Sequence, residues 1–128
     1  MTQAHARFDL SGKIAWVVGG GGYLGAAVCL ALAEHGAHVI IADLSKESAK
    51  ETTRLLTDTG LKAEAAHLDI TEESAVVTAV DAIVDRHHHL DIAVNMTCYS
   101  TGLPMDQMQL ADWEAVSYTH LRAHETEA

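Results

Sequence analysis

The feature that most constrains this chain is an unbroken apolar run, Ile14-Ala15-Trp16-Val17-Val18, halted at once by four glycines, Gly19 to Gly22. A run with no polar alternation suits a strand buried on both faces, the habit of parallel sheets. Parallel strands need long crossover connections, usually helical, and the following sequence supplies them. Tyr23 to His35 reads as a helix with Leu24, Val28 and Leu32 on its inner side, stopped at Gly36. Val39 to Ala42 is a second strand, and Ser45 an N-cap for a helix ending near Thr59-Gly60, with Ser48 where a capping box would place Glu. Ala63 to Leu68 is a third strand. Thr71, with Ser74 in the box position, is expected to cap a helix running to Arg86, whose stripe is Val76, Val77, Val80, Ile83 and Val84. Leu90 to Asn95 gives a fourth strand, and a loop holding Pro104 leads to a short helix from about Asp106. The order β-α-β-α-β-α-β, plus the start of a fourth helix, implies an α/β fold with a parallel sheet and flanking helices.

Composition removes several classes of partner. The chain has 128 residues, 48% of them apolar, and eighteen Asp plus Glu against eight Lys plus Arg give a net charge of −10. One compact domain is expected, and its acidic surface disfavours nucleic acid and anionic membranes. No apolar run approaches the ~20 residues that span a bilayer. Residues 1–9 hold no apolar signal core, so a cytoplasmic location is expected. Cys29 and Cys98 share no disulfide or metal-type spacing and read as buried thiols in a reduced compartment. His87-His88-His89 invites a metal reading, but adjacent residues point in different directions and no carboxylate or Cys sits at ligand spacing nearby. No metal site is expected there. Trp16, on a buried strand, reads as core.

The motif that carries chemistry is the glycine segment. Gly20-x-Gly22-x-x-Gly25 follows a strand and opens a helix, where a dinucleotide fingerprint must sit. Glycines let backbone amides approach a pyrophosphate, whose charge the helix N-terminus stabilises. A merely flexible turn is the competing reading. Asp43, eighteen residues beyond Gly25 and beside Leu44, ends the second strand, where a carboxylate can accept hydrogen bonds from an adenosine ribose. Its charge would repel a 2′-phosphate, and no Lys or Arg lies between Lys13 and Lys46 to attract one. NAD is therefore expected over NADP, although Asp43 could simply start a loop.

Several stretches resemble the short-chain dehydrogenases/reductases. Asp9-Leu10-Ser11-Gly12-Lys13-Ile14-Ala15 resembles that family's lead-in, and His67-Leu68-Asp69-Ile70-Thr71 its Asp-Val-Thr stretch. Leu90-Asp91-Ile92-Ala93-Val94-Asn95 resembles the Leu-Asp-Ile-Leu-Val-Asn that opens its Asn-Asn-Ala-Gly motif, and Asp112-Trp113 with Val116 the start of its fourth helix. The resemblance spans residues 8–116 and implies a Rossmann-like, partial dinucleotide-binding domain. By it, Gly19, Gly20, Gly22, Tyr23, Leu24 and Gly25 hold the pyrophosphate, Asp43 and Leu44 flank the ribose, Asp69 and Ile70 meet the adenine, and Asn95 lies near the nicotinamide ribose. The pattern departs at Val18, where Thr is usual, at Tyr23, and at Met96-Thr97-Cys98.

The family's chemistry uses a Ser, a Tyr and a Lys four residues after that Tyr, on elements beyond residue 116. Tyr118-x-x-x-Arg122 comes too early in the order of elements to substitute, and Arg is a poor mimic of a compact Lys cation. No catalytic residue is assigned. Residues 117–128 look foreign, because the apolar stripe of Leu110, Trp113 and Val116 stops there. The expected function is the NAD-binding half of an oxidoreductase interconverting an alcohol and a carbonyl, inactive as this fragment. Its parent would take a small-molecule substrate and form homo-oligomers. Two other readings stay open. One is a nucleotide-sugar epimerase or dehydratase of the family's extended branch, suggested by Gly19-x-x-Gly22-Tyr23-x-Gly25; the other is a non-catalytic dinucleotide-binding module.

Overall fold

A computed structural model describes residues 7–97 and 104–114. The chain divides into two units, residues 1–96 and 97–128. The first alternates β1 (Ile14–Val18), α1 (Tyr23–Glu34), β2 (His38–Asp43), α2 (Lys46–Thr57), β3 (Ala63–His67), α3 (Glu73–His87) and β4 (Ile92–Asn95). All pairings are parallel, and the strand order is β3-β2-β1-β4. In the second unit, Pro104 precedes a 3₁₀ turn, Met105–Gln107, and residues 110–114 are helical. A short helix from about Asp106 was expected; the 3₁₀ turn stands there, and the helical turn follows Gln109, whose amide donates to Asp112 Oδ2 at 2.9 Å.

The sequence of β1 is apolar throughout because both of its faces are covered. Ala15 and Val17 point into one cluster with Cys29 and Ala33 of α1, Val39 and Ile41 of β2, and Ala49 and Leu56 of α2. Ile14, Trp16 and Val18 point into the other, with Ile40, Ala42, Leu68 and Ile83 of α3. Trp16 is core, 7% exposed. Burial of this kind stabilises by about 25 cal/mol per Å² of apolar surface. Ser45 caps α2 as expected, accepting a hydrogen bond from Ser48 N at 3.2 Å.

Four expectations need correction. The inner face of α1 is Gly25, Cys29 and Ala33, not Leu24, Val28 and Leu32; Leu24 is 67% exposed. The helix has no charged residue before Glu34, so periodicity cannot choose a face, and small residues win because they allow close packing. Thr71 does not cap α3. The N-cap is Glu72, and Asp69 organises the turn by accepting from Thr71 N at 3.0 Å and Thr71 Oγ1 at 2.6 Å. Of the expected α3 stripe, Ile83 is fully buried and Val76 and Val80 pack partly buried against its cluster, while Val77 and Val84 are exposed. Finally, His87 does have a carboxylate beside it. Its ring lies 3.4 Å from the Glu64 carboxylate, brought from β3 by the sheet rather than by local spacing. Cys98 and residues 115–128, including Val116 and the stretch that looks foreign, lie outside the described residues.

Candidate functional site

The expected site residues gather at one edge of the sheet, where strands end. Gly19 to Gly25 follow β1, Asp43 and Leu44 end β2, Asp69 and Ile70 follow β3, and Asn95 ends β4. Register aligns these ends, pairing Val18 with both Ala42 and Asn95, and Asp43 with His67. The backbone then stitches the rim together. Gly19 N and Gly20 N both donate to Ala42 O, at 2.8 and 3.2 Å, Leu68 N donates to Asp43 O at 3.0 Å, and Met96 N to Val18 O at 2.8 Å. Such carboxyl-end crevices are where open α/β sheets bind ligands.

The glycines do different jobs. Gly19 turns the chain with φ +81°, a conformation that side chains rarely adopt. A Cβ on Gly25 would overlap the Gly19 carbonyl oxygen and come within 2.8 Å of Gly20 Cα, so α1 can lie against the loop only because Gly25 has none. Gly22 differs. A Cβ there would meet only Gly19 O, at 3.6 Å, an ordinary contact, and Gly22 φ is −74°. The fold itself does not need glycine at this exposed position. Beside it, α1 begins with no side-chain cap and no acidic residue in its first turn, whereas α2 has both Ser45 and Glu47. The start of α1 thus leaves its first-turn amides for an anion.

Gly21 was not among the expected site residues, because neither glycine spacing uses it. Its amide donates to Asp43 Oδ2 at 3.1 Å, and a Cβ would press to 2.8 Å on Ser48 and 2.9 Å on Asp43 Oδ2. Asp43 also accepts from Ser45 N through Oδ1 at 2.9 Å. The carboxylate therefore ties the glycine loop to the start of α2, a structural role absent from the sequence reading. A carboxylate offers about four lone-pair sites, so roughly two remain for a ligand.

Around this polar centre stands an apolar rim. Tyr23 is 99% exposed, and Leu24, Leu44 and Ile70 are exposed too. Asp69, at the same edge, has its carboxyl held below the usual range by the Thr71 hydroxyl and amide. A separate open groove of about 470 Å³ runs between α3 and the sheet, lined by Trp16, Ile40, Ala66 and Ile83; it reaches the site only at Leu68 and Asp69. No glycine of the loop lines it.

A known family shares this arrangement. The family model described as short chain dehydrogenase matches residues 13–124. The chain belongs to the short-chain dehydrogenase/reductase family. Its curated relatives include the short-chain dehydrogenase/reductase homolog YusS of Bacillus subtilis, 36% identical over 100 residues, covering 77% of this chain and 92% of that one. Other curated relatives are longer, and the chain spans 17% of one and 44% to 45% of others. Among solved structures, the gluconate 5-dehydrogenase of Burkholderia cenocepacia in complex with NADP and tartrate superposes with TM-score 0.78 at 33% identity, covering 93% of this chain and 47% of that one. An NAD⁺-bound xylitol dehydrogenase gives TM-score 0.78 at 27% identity, covering 88% and 44%. Family membership supports a nicotinamide dinucleotide cofactor and does not favour the epimerase reading. No helix among the described residues is long and apolar enough to cross a membrane.

Proposed function

We propose that this chain binds NAD at the carboxyl edge of its sheet and is the cofactor-binding half of an oxidoreductase interconverting an alcohol and a carbonyl. The observation that carries the reading is Gly22: an exposed N-cap where no described residue excludes a side chain, at a helix start with no side-chain cap hydrogen bond. A ligand's approach is a reason for glycine there. Gly19, Gly20, Gly22, Tyr23, Leu24 and Gly25 would receive the pyrophosphate on backbone amides, Asp43 with Leu44 the adenosine ribose, Asp69 with Ile70 the adenine, and Asn95 the far ribose. When bound, NAD supplies the hydride acceptor. The protein's part is to hold and orient it, and the 128 residues carry no Ser-Tyr-Lys set to move the proton, so turnover by this chain alone is not expected.

Relatives bind either NAD or NADP, and Asp43 decides the preference in this reading. Its charge repels a 2′-phosphate, while its bonds to Gly21 N and Ser45 N serve both cofactors equally. Titration of the chain with NADH and NADPH, read by tryptophan fluorescence in a Trp113→Phe background, tests this. NADH should bind at least ~10-fold tighter, which is about 1.4 kcal/mol. Asp43→Ala should weaken NADH binding yet narrow the ratio. Tighter NADPH binding by the unmodified chain would overturn the assignment.

A further inference from the structure

At the sheet edge opposite the glycine loop, three elements bring metal-ligating side chains together. His38 opens β2, Glu64 is the second residue of β3, and His87 is the last residue of α3. Their ligand atoms all lie within 4.8 Å of one another. His38 Nε2 is 3.5 Å from Glu64 Oε2, and His87 Nε2 is 3.4 Å from Glu64 Oε1. The two imidazole centroids are 4.8 Å apart and inclined by 52°, so both rings turn their Nε2 atoms toward one carboxylate. His38 and Asp43 stand at opposite ends of β2, which at ~3.3 Å per residue puts the cluster roughly 16 Å from the cofactor edge.

The spacing has a direct chemical reading. Ligands about 2.05 Å from a tetrahedral ion stand about 3.4 Å apart, and both His–carboxylate separations match that edge. His38 Nε2 adds an independent observation. It is shielded from solvent and, among the described residues, makes no hydrogen bond; its nearest partner, Glu64 Oε2, stands at 3.5 Å. Buried polar atoms are nearly always satisfied, and one that is not calls for a water or an ion.

From this cluster we infer a divalent metal site of the zinc class, in which His38 Nε2, Glu64 and His87 Nε2 clip α3 to β2 and β3. Two imidazoles and one carboxylate suit zinc or a neighbouring transition ion; magnesium and calcium prefer all-oxygen shells. Arg86 Nη2 now lies 2.7 Å from Glu64 Oε1, but the Arg86 side chain is 54% exposed and can withdraw into water. His89 is engaged elsewhere, with Asp91 Oδ2 at 3.1 Å.

Titration of the metal-free 128-residue chain with Co²⁺ tests this. One equivalent should bind with the intense visible bands of a four-coordinate ion, and Zn²⁺ should displace it. His38→Gln, Glu64→Gln and His87→Gln should each weaken binding at least 10-fold, while the double variant His88→Gln/His89→Gln should bind unchanged. Should a ligand variant fail to fold, ring-nitrogen NMR on the unmodified chain decides: Zn²⁺ should shift the His38 and His87 imidazole signals. Absence of stoichiometric binding overturns the site. So does binding that survives loss of both His38 and Glu64, or zinc shifts confined to His88 and His89.

Discussion

Gly22→Ala and Gly25→Ala separate what the glycine loop does for the fold from what it does for a ligand. At Gly25 the new methyl overlaps Gly19 O, and its other neighbours are backbone too, Gly20 Cα at 2.8 Å and Gly19 C at 3.0 Å. Ordinary contact begins near 3.4 Å, and backbone cannot rotate aside as a side chain can. The start of α1 must therefore withdraw by roughly 1 Å. Overpacking of this kind costs about 1–3 kcal/mol, against at most about 1 kcal/mol gained from alanine's helix propensity. The net is a loss of about 1–2 kcal/mol, or about 5–15 °C in Tm for a domain of this size. At Gly22, the N-cap of α1, the same methyl finds 3.6 Å of room, so the loss should stay near 0.5 kcal/mol, about the low end for alanine at an N-cap. NADH affinity should nonetheless fall 10-fold or more. Circular-dichroism melts and NADH fluorescence titrations on both variants make the comparison. The reasoning fails if Gly22→Ala melts as low as Gly25→Ala, or if it binds NADH as well as the unmodified chain.

Other consequences are as direct. His88 holds φ 70° at the end of α3, a left-handed conformation costing a non-glycine residue about 1–2 kcal/mol; allowing for glycine's extra unfolded-state entropy, His88→Gly should raise stability by about 0.5–1 kcal/mol in a denaturant melt, and a loss would refute the strain. Cys29 is fully buried and its thiol is pushed up to about 12, chiefly by desolvation, so it should ignore a thiol reagent at pH 8 until the chain is unfolded. The Asp69 carboxyl is held low by the Thr71 hydroxyl and amide; the turn it organises is intact above the ordinary Asp range and weakens only as pH falls through the depressed value. Thr71→Val should move its NMR titration back upward, and an unmoved titration would remove the hydroxyl from the account. Val77 and Val84 lie exposed on α3, and Ala93 on β4, one of the two edge strands of the sheet among the described residues. Concentration-dependent association in light scattering is expected, and a monodisperse monomer at high concentration would contradict it.

How much of this was legible in the sequence depends on how many elements a feature draws on. The bounds of β1 could be read outright, because double burial demands an apolar run with no alternation and glycines mark its end. The parallel sheet followed from the alternation of strands and helices, and the fingerprint glycines from a motif packed into seven consecutive residues. The buried face of α1 could not be read, since a helix apolar on every side gives periodicity nothing to choose between; the signal was the four-residue spacing of Gly25, Cys29 and Ala33. Thr71 looked like a cap because capping statistics see residue types and not the Asp69 carboxylate that had already taken its hydroxyl. Gly21 escaped because its purpose lies 22 residues away, at Asp43. The His38–Glu64–His87 cluster escaped for the same reason on a larger scale: each element contributes one residue, and only the parallel register makes them neighbours. The two ends of this sheet thus differ in kind. The carboxyl end writes its chemistry into contiguous loops, whereas the amino end assembles its donors one per element, so a feature there becomes visible only once the order β3-β2-β1-β4 is known.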